Sequence, residues 1–539
     1  MSNEKRNTTS NTEMVTISRA EYEEKQASIS KLERHVSELE QQNQWLMEQL
    51  RLAQRRQFGS RSEKASNEVL EQMSLLFDEA EATSAIEKAE EKSAPVTEVK
   101  AHQRKKSGSV RGIVSKDIPV KVVPHGLSEE ETVCPQCGDQ MEVIGKEVRE
   151  TLVFKPAEAY IRQDVYYTYG CRRCDKEDIS TPVAKTPKEP ALIPGGYASA
   201  EAVAHIAVQK FVMYAPLYRQ ELEWNRRGIQ ITRQTMSNWL LRCAEDWLEP
   251  IYAALHRELL KCDLLHSDET SLQVLHEPGK TSQSKSSMWL YRTSGDVRRS
   301  IVLYEYQPGK DGKYPAKFLD GFHGYLQTDG ASYYNAVEGV THIGCWAHAR
   351  RKFEEALMAV PKGNRAPTAE QGMAYCQKLF DLEKGWKNLS PEDRKEQRLE
   401  QAKPVLDAFY AWANTRAAAP KSKLGQALTY LRNQWPYLCN YLLDGRLELS
   451  NNRAERSIKP FVMGRKNWLF ANTPAGAKSS AVIYSLIETA KENGLDPYRY
   501  LCWVLGQAPR LSMDRSDWAQ ELVPEKAPLY CMAHSEKRE

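Results

Sequence analysis

Apolar residues recur at alternating spacings of three and four between positions 29 and 50. The seam consists of Ile29, Leu32, Val36, Leu39, Asn43, Leu46 and Leu50. This spacing predicts a coiled coil, with Asn43 at an a position. A buried Asn pairs best with the same Asn of a second copy, so the pattern favours a parallel homodimer or a higher oligomer. An amphipathic helix packed on its own protein gives the same periodicity.

The period of the apolar residues changes further along the chain. Short β-like runs lie between 119 and 185, helical spacing runs from 198 to 255, and strand-like runs alternate with helices from about 261. We predict a disordered tail (1–20), a coiled coil with a basic arm (21–64), a linker (65–118), a β-rich domain (119–185), a helical region (190–255), an α/β domain (256–475) with a helical insertion at about 353–448, and a C-terminal helical region (476–539).

Composition narrows the class of protein. The 539 residues are 41% hydrophobic and 27% charged, with 75 basic against 72 acidic side chains. Net charge therefore does not indicate nucleic-acid binding, which has to be argued from local clusters. The sequence has no signal-peptide pattern and no run of about 18 apolar residues. We expect a soluble, cytoplasmic, multidomain protein without a membrane segment.

Two CxxC pairs, Cys134 with Cys137 and Cys171 with Cys174, stand out among eleven cysteines. Each CxxC turn directs two sulfurs at one point, and two such turns complete a tetrahedral Zn²⁺ shell. The alternatives are a redox dithiol, which needs one pair, and coincidence. Four thiolates close the coordination sphere, so this zinc would be structural rather than catalytic.

A helix-turn-helix is predicted between Leu217 and Trp247, with Thr232 as the cap of its second helix. The exposed N-terminal end of that helix would carry the DNA-contacting residues Arg233, Gln234, Ser237 and Asn238. Helical hairpins of this kind also occur in proteins that do not bind DNA. A second basic cluster, Arg55, Arg56 and Arg61, follows the coiled coil and reads as a phosphate-binding arm or as a solvated basic face.

Three acidic residues are candidates for metal ligands, because a carboxylate inside or at the end of a strand is costly to bury unless it is paired or bound to a metal. Asp268 interrupts an apolar strand, Asp329 ends a short strand before Gly330, and Glu455 stands near a helix start. Carboxylate oxygens suit Mg²⁺ or Mn²⁺, and three of them can hold two ions for phosphodiester chemistry. Asp329 is also explained as a turn residue, and Glu455 as the partner of Asn452 in a capping box.

The chain resembles, over nearly its whole length, bacterial transposases of the insertion sequence 66 family. Matching blocks occur in the family's order: RRQFGSRSEK at 55–64, the two cysteine pairs, HSDET at 266–270, GCWAHARRKF at 344–353, SNNRAER at 450–456, GRKNWLF at 464–470, AVIYSLIETA at 481–490 and NGLDP at 493–497.

The resemblance implies a ribonuclease-H-like catalytic core preceded by the coiled coil, zinc ribbon and helix-turn-helix. Its Asp, Asp and Glu ligands carry over to Asp268, Asp329 and Glu455. The expected activity is that of a DDE transposase, which binds the terminal inverted repeats of its element and cleaves and transfers strands with two Mg²⁺ or Mn²⁺ ions. Small accessory proteins of the same element are possible partners, besides the DNA of the element's ends and target.

The resemblance also bears on residues around the acids. We interpret Cys345 and His348 as support for the core, and Arg350, Arg351, Lys459, Arg465 and Lys466 as phosphate contacts or, alternatively, as a solvated basic face. A DNA-binding regulator with a silent catalytic domain is the main rival function. A zinc hydrolase is disfavoured, because the recognisable zinc site has no open position.

The cysteine pairs give the first testable prediction. Purified protein should carry close to one Zn²⁺ per chain, and Cys171→Ser should lose it and destabilise residues 119–185, because binding energy at a structural zinc site is folding energy. Metal analysis of natively purified protein measures this. Protein that contains no zinc would contradict the assignment.

Overall fold

The computed structural model describes residues 188–533, except 296, 362 and 363, and short stretches nearer the N-terminus at 18–19, 21–36, 38, 47, 160–165, 168–170 and 183–185. These residues form two units, one of those before 63 with 205–492 and one of those in 63–204 with 493–533. Several predicted sites lie outside the described residues: the zinc ligands Cys134, Cys137, Cys171 and Cys174, the basic arm Arg55, Arg56 and Arg61, and the seam positions from Leu39 onward.

The start of the predicted coiled coil is helical from 21 to 36. Its seam residues Ile29, Leu32 and Val36 are exposed in the single chain. In a coiled coil, a second helix would bury such an apolar stripe. The homodimer stays a prediction. In the other unit, the strands β1 (Thr168–Gly170) and β2 (Val183–Lys185) pair antiparallel within the region predicted to be β-rich.

Four helices precede the sheet. They are α1 (Ala200–Phe211), α2 (Leu217–Arg226), α3 (Arg233–Cys243) and α4 (Glu249–Leu259), with a π-helical turn joining the last two. Thr232 caps α3 as predicted, since its Oγ1 accepts a hydrogen bond from the Thr235 amide at 3.2 Å. Gly228 turns the chain between α2 and α3 at a φ of +79°, which a side chain would disfavour.

A five-stranded mixed sheet forms the centre of the first unit. Its strands are β3 (Leu264–Gln273), β4 (Lys285–Thr293), β5 (Val302–Gln307), β6 (Tyr325–Gln327) and β7 (Thr341–Ile343), in the order β5-β4-β3-β6-β7. The pairs β3–β4 and β4–β5 are antiparallel, whereas β3–β6 and β6–β7 are parallel. The short helix α5 (Lys313–Phe318) connects β5 to β6.

The stretch predicted to be a helical insertion begins in α6 (Trp346–Ala359). It continues through α7 (Pro367–Gly385), α8 (Pro391–Gln397), α9 (Lys403–Asn414) and α10 (Lys423–Cys439). Aromatic side chains fill its core, where Phe409 stacks on Tyr375 with ring centroids 4.7 Å apart and lies 6.0 Å from Trp346. Trp346 also donates to the Leu438 carbonyl at 3.0 Å, which ties α6 to the end of α10.

A buried arginine fixes the return from the insertion. Arg398 is fully buried in a π-helical turn after α8 and makes a two-pronged ion pair with Glu383, at 2.6 and 2.9 Å. Its remaining N–H groups donate to the carbonyls of Tyr441, Asp444 and Leu447 at 2.8 to 2.9 Å. Every donor of this guanidinium therefore has an acceptor. The segment that leads back to the sheet is held by these bonds.

Three long helices close the described chain: α11 (Asn452–Trp468), α12 (Pro474–Glu492) and α13 (Pro497–Asp514). Most of α12 falls in the C-terminal helical region predicted at 476–539. In the structure, α12 packs on β5, an edge strand of the sheet. Ser485 accepts from the Tyr304 amide at 2.7 Å, and Thr489 bonds both backbone groups of Val302. The helix thereby satisfies polar groups that an open sheet edge would expose.

Arg292 on β4 adds a second tie to α12. Its buried side chain pairs with Glu492 at 2.9 Å and also donates to Ser457 on α11. One cation thus joins the sheet to two helices. Among the described residues, no helix is long and apolar enough to cross a membrane.

Removing the Arg398 side chain should test its role. We expect Arg398→Ala to destabilise the first unit by about 3–5 kcal/mol, because it leaves the Glu383 carboxylate and three carbonyls without their partner. The denaturant midpoint followed by tryptophan fluorescence measures this. Lys403→Ala is the matched control: it breaks an exposed pair with Asp407 and should cost about 0.5 kcal/mol or less. Equal losses in both variants would contradict the assigned role.

Candidate active site

Asp268 lies in the middle of the central strand β3. It is opposite Leu290 of β4 in the antiparallel register, and its half-buried carboxylate accepts the Glu269 amide at 2.8 Å. The residues before it, Leu264 to Ser267, are fully buried. Asp268 thus lies where β3 passes from fully buried to half-buried positions.

Asp329 follows β6, the strand that runs parallel to β3 on its other side. Its Oδ1 accepts the Ala331 amide at 2.9 Å, so it does act as a turn residue, with Gly330 at a φ of +87°. Helix α10 of the insertion holds this turn, since Tyr430 donates to the Asp329 carbonyl at 2.9 Å and Gln434 to the Gly330 carbonyl at 3.1 Å. The hydrogen bond that Asp329 makes within its turn therefore does not exclude it as a metal ligand.

Glu455 lies in the first turn of α11, and its carboxylate faces helix α6. Its Oε2 is 3.3 Å from Arg351, and its Oε1 is 3.7 Å from Nδ1 of His348. The capping-box alternative is wrong: the residue before the helix is Asn451, and Asn452 is its exposed first residue. Glu455 therefore does not reach back to cap its own helix.

Asn451 joins the start of α11 to β3. Its fully buried carboxamide donates to the Ser267 carbonyl at 2.8 Å and accepts from Nδ1 of His266 at 3.0 Å. Its backbone amide donates to Sγ of Cys345 at 3.1 Å. Burial lowers the pKa of His266 to about 4, so the ring is neutral and carries its proton on Nδ1. These bonds attach the start of α11, which carries Glu455, to β3.

The charges of Asp329 and Glu455 both act on the carboxylate of Asp268. Burial raises the pKa of Asp268 well above its ordinary value, and the charges of Glu269, Asp329 and Glu455 raise it further, against the opposing Glu269 amide. Carboxylates held together in this way favour either a shared proton or a bound cation. Their oxygens are the ligands that Mg²⁺ and Mn²⁺ prefer. The donor set thus fits a hard divalent ion.

Glu269, the neighbour of Asp268, lies in a different environment. It has an ion pair with Lys310 at 2.7 Å and accepts a hydrogen bond from the Tyr334 hydroxyl at 3.1 Å. The same hydroxyl accepts a hydrogen bond from Ser267, which shares a strand face with Glu269. Burial raises the pKa of Glu269, and the bond from Lys310 opposes that shift, so its charge is partly balanced within the protein.

Cys345 and His348 lie at the start of α6, beside Glu455. Cys345 is buried, and its sulfur, one imidazole nitrogen of His348 and a Glu455 oxygen lie within 4.8 Å of one another. Burial, reinforced by Arg351, lowers the pKa of His348, while Glu455 and Asp329 oppose that shift. The CxxH spacing of Cys345 and His348 indicates a metal-ligand pair. It does not identify Glu455 as a third residue of the group, because Glu455 lies more than a hundred positions away in the sequence.

The predicted recognition residues lie on the surface of α3. Arg233, Gln234 and Asn238 are exposed and Ser237 is half-buried. Gln234 donates to Asn238 at 3.0 Å, and the Arg233 guanidinium lies over the Tyr218 ring at 5.6 Å. These side chains are thus available on one helix face.

The basic residues predicted to contact phosphate near the acids lie in different environments. Arg351 and Lys459 lie near Glu455. Burial lowers the pKa of Lys459, and the charge of Glu455 opposes that shift. Arg465 bonds Thr270 at 2.9 Å and the Ser271 carbonyl, so it fastens α11 to β3. Arg350 acts electrostatically on Cys376 of α7, and Lys466 is exposed.

Three proteins of Sinorhizobium fredii are similar to this chain, and all are described as uncharacterized. One, y4hP, is 29% identical over 477 residues, which is 83% of each chain. Another, y4jD, is 30% identical over 396 residues, covering 70% of this chain and 75% of its own. The third, y4qI, is 27% identical over 481 residues, covering 85% and 84%.

Family comparisons cover most of the chain. Residues 45–123 match "Transposase C of IS166 homeodomain", residues 131–175 match "zinc-finger binding domain of transposase IS66", and residues 485–524 match "IS66 C-terminal element". The leucine-zipper-like and zinc-finger regions expected from the sequence are thereby confirmed as family domains. The sheet, the insertion and the three acids fall within residues 195–479, which match "Transposase IS66 family". Since that match alone spans more than half of the sequence, the chain belongs to the IS66 family of transposases.

Proposed function

We propose that this protein cleaves the DNA strands at the ends of its insertion sequence and transfers them to a target, with Asp268, Asp329 and Glu455 as the catalytic carboxylates. The observation that carries the proposal is their convergence. Asp329, from the turn after β6, and Glu455, from α11, both raise the pKa of Asp268 on β3. A polynucleotidyl transferase of this class needs such an acid cluster.

The arrangement of the strands supports a ribonuclease-H-like core. Three antiparallel strands, β3 to β5, are followed by β6 and β7, which add in parallel on the other side of β3. The first acid is on the central strand and the second follows the adjacent parallel strand. The third comes from a helix after the insertion. That combination of topology and acid placement supports the proposal.

Two bound Mg²⁺ or Mn²⁺ ions would activate a water or 3′-hydroxyl and stabilise the leaving oxygen. Asp268 and Asp329 would each supply carboxylate oxygens from rigid backbone positions, one on a strand and one on a turn held by α10. Glu455 would supply oxygens from α11. Arg351 and Lys459, which lie near Glu455, are placed to meet phosphates of the bound strand.

DNA binding would rest on several parts of the chain. Helix α3 presents exposed polar side chains for the element's ends, and the zinc finger and basic arm would add contacts. The coiled coil would bring two copies together so that both ends are held in one complex. Such a complex would act in the cytoplasm, with accessory proteins of the same element as possible partners. A DNA-binding regulator with a silent catalytic domain would bind in the same way, so only strand cleavage separates the two functions.

The acids provide the decisive test. We expect Asp268→Asn, Asp329→Asn and Glu455→Gln each to reduce cleavage and joining by several orders of magnitude, because the amide keeps the size of the side chain but removes the charge that holds a divalent ion. The measurement is nicking of the element's own ends by purified protein with Mg²⁺ or Mn²⁺. Binding to those ends should persist in all three variants.

Two carboxylates serve as controls for this experiment. Glu269→Gln removes a charge next to Asp268 yet keeps an acceptor for Tyr334, so we expect substantial activity to remain. Asp263→Asn changes an exposed acid paired with Arg446 and should leave the rate unchanged. Cleavage by Glu455→Gln at a near wild-type rate would show that the carboxylate assignment is wrong.

The raised pKa of Asp268 predicts a pH-dependent stability. A carboxyl whose pKa is higher in the folded state favours folding at low pH, and this contribution is lost as the pH rises through the folded-state pKa. Without added divalent ions, Asp268→Asn should therefore melt a few degrees above wild type at pH 7 to 8. The difference should vanish near pH 4, about the pKa of an unfolded Asp.

Thermal melts across this pH range measure the effect. Added Mg²⁺ should raise the Tm of the wild type but not that of Asp268→Asn, because only the wild type retains the ligand charge. An Asn variant that is less stable at every pH would show that the carboxylate has a structural partner instead.

A further inference from the structure

The start of α6 presents two metal-ligand types towards one carboxylate. Cys345 precedes the first residue of the helix and His348 follows three residues later, so both lie on the same side of its first turn. Glu455, from α11, faces them. The sulfur, an imidazole nitrogen and a carboxylate oxygen lie within 4.8 Å of one another. Small side-chain movements would bring all three within bonding distance of one ion.

Two of these three candidate ligand atoms are buried with no hydrogen-bond partner in the described part of the chain. Among the described atoms, neither Nδ1 of His348 nor Oε1 of Glu455 has a hydrogen-bond partner, although both are shielded from solvent. They face each other at 3.7 Å, which is too far for a hydrogen bond. Buried polar atoms in folded proteins are nearly always satisfied, and an ion is one recognised way to satisfy them. The gap between them adjoins the Cys345 sulfur.

The chemistry of the three donors selects the kind of ion. A thiolate is a poor ligand for Mg²⁺, whereas a sulfur, nitrogen and oxygen set suits Zn²⁺ and similar transition ions. Three protein ligands leave a fourth tetrahedral position open. Burial raises the pKa of the Cys345 thiol to about 11, and the backbone amide of Asn451, which donates to its sulfur at 3.1 Å, opposes that shift. The thiolate is therefore expected only with a cation bound.

We propose that Cys345, His348 and Glu455 form a binding site for one Zn²⁺-class ion, separate from the four cysteines of the zinc finger. Glu455 is shared with the acid cluster, so zinc bound here withdraws it from Asp268 and Asp329. In that respect the site regulates cleavage, and this consequence rests on the proposed function. Binding of the ion itself does not.

Arg351 is the cation that contacts the same two side chains in the ion-free protein, at their other polar atoms. Its guanidinium lies 3.3 Å from Oε2 of Glu455 and 3.3 Å from Nε2 of His348. Since a guanidinium only donates, Nε2 accepts and the neutral ring carries its proton on Nδ1. Metal binding at Nδ1 moves that proton to Nε2, releases the thiol proton of Cys345 and displaces Arg351. The Arg351 side chain is 48% exposed, so it is free to swing into solvent.

Cobalt spectroscopy of the full-length protein tests the site. With the zinc finger loaded with Zn²⁺ and Mg²⁺ in excess, added Co²⁺ should give a sulfur-to-cobalt charge-transfer band and the visible bands of a tetrahedral ion, both saturating at one equivalent per chain. Cobalt held by the acids alone has no sulfur ligand and does not contribute to that band. Cys345→Ser should lose the charge-transfer band, because serine keeps an acceptor for the Asn451 amide but offers no thiolate. His348→Gln should weaken binding by at least about tenfold, and Arg351→Ala should tighten it several-fold.

Matched controls identify the source of the signal. Cys439→Ser changes a half-buried free cysteine at the end of α10, and His342→Gln changes a half-buried histidine on β7; neither should alter the titration. A charge-transfer band that persists in Cys345→Ser, or no additional cobalt in the wild type, overturns the proposal. If Cys345→Ser does not fold, as judged by its melting curve, His348→Gln decides, and unchanged affinity in that variant has the same meaning.

The regulatory consequence has its own readout. Zn²⁺ added after the zinc finger is filled should inhibit Mg²⁺-dependent cleavage by wild type, and by His348→Gln much less, each relative to its own zinc-free rate. Equal inhibition of both overturns the regulatory part. A wild-type protein that never cleaves contradicts the proposed function but leaves the cobalt result to decide the metal site.

Discussion

The carboxamide of Asn451 is the contact on which the site depends. It accepts from His266 and donates to the Ser267 carbonyl, while its backbone amide bonds the Cys345 sulfur. One residue thereby connects β3, the start of α6 and the start of α11. Its side chain is unavailable to cap its own helix as a consequence. Glu455 lies one helical turn further on, so its position near Asp268 follows directly from these bonds.

The rest of the scaffold holds the acids together against their own repulsion. Burial and the charges of the neighbouring acids disfavour ionised Asp268, yet its strand is held between β4 and β6. Arg398 fixes the chain returning from the insertion, α10 holds the turn after Asp329, and Ser485 and Thr489 attach α12 to the edge strand. Stability supplied far from the acids thus permits a cluster that is unfavourable without cations. Such a cluster attracts positive charge, as the proposed function requires.

Two kinds of ligand meet at Glu455. On one side lie the oxygen donors of Asp268 and Asp329, which suit Mg²⁺ or Mn²⁺, and on the other lie the sulfur of Cys345 and the imidazole of His348, which suit Zn²⁺. Arg351 now balances the charge of Glu455 at 3.3 Å. Because one carboxylate cannot serve every partner fully, the identity of a cation bound near Glu455 would decide which side it faces. Family membership and the fold place this choice in a transposase, where a metal-dependent step would respond to it.

The sequence by itself determined what depends on neighbours along the chain. Thr232 as a helix cap, the apolar run that ends at Asp268 and the helical period of the insertion were all readable, because caps, strands and helices are set by residues a few positions apart. The matching blocks also indicated the family. Only the tertiary structure decided that Glu455 turns towards His348 and Arg351 instead of capping its helix, and that Asn451 reaches β3 across 184 positions. Contacts at such separations depend on how the insertion and sheet pack together, and no local pattern encodes that packing.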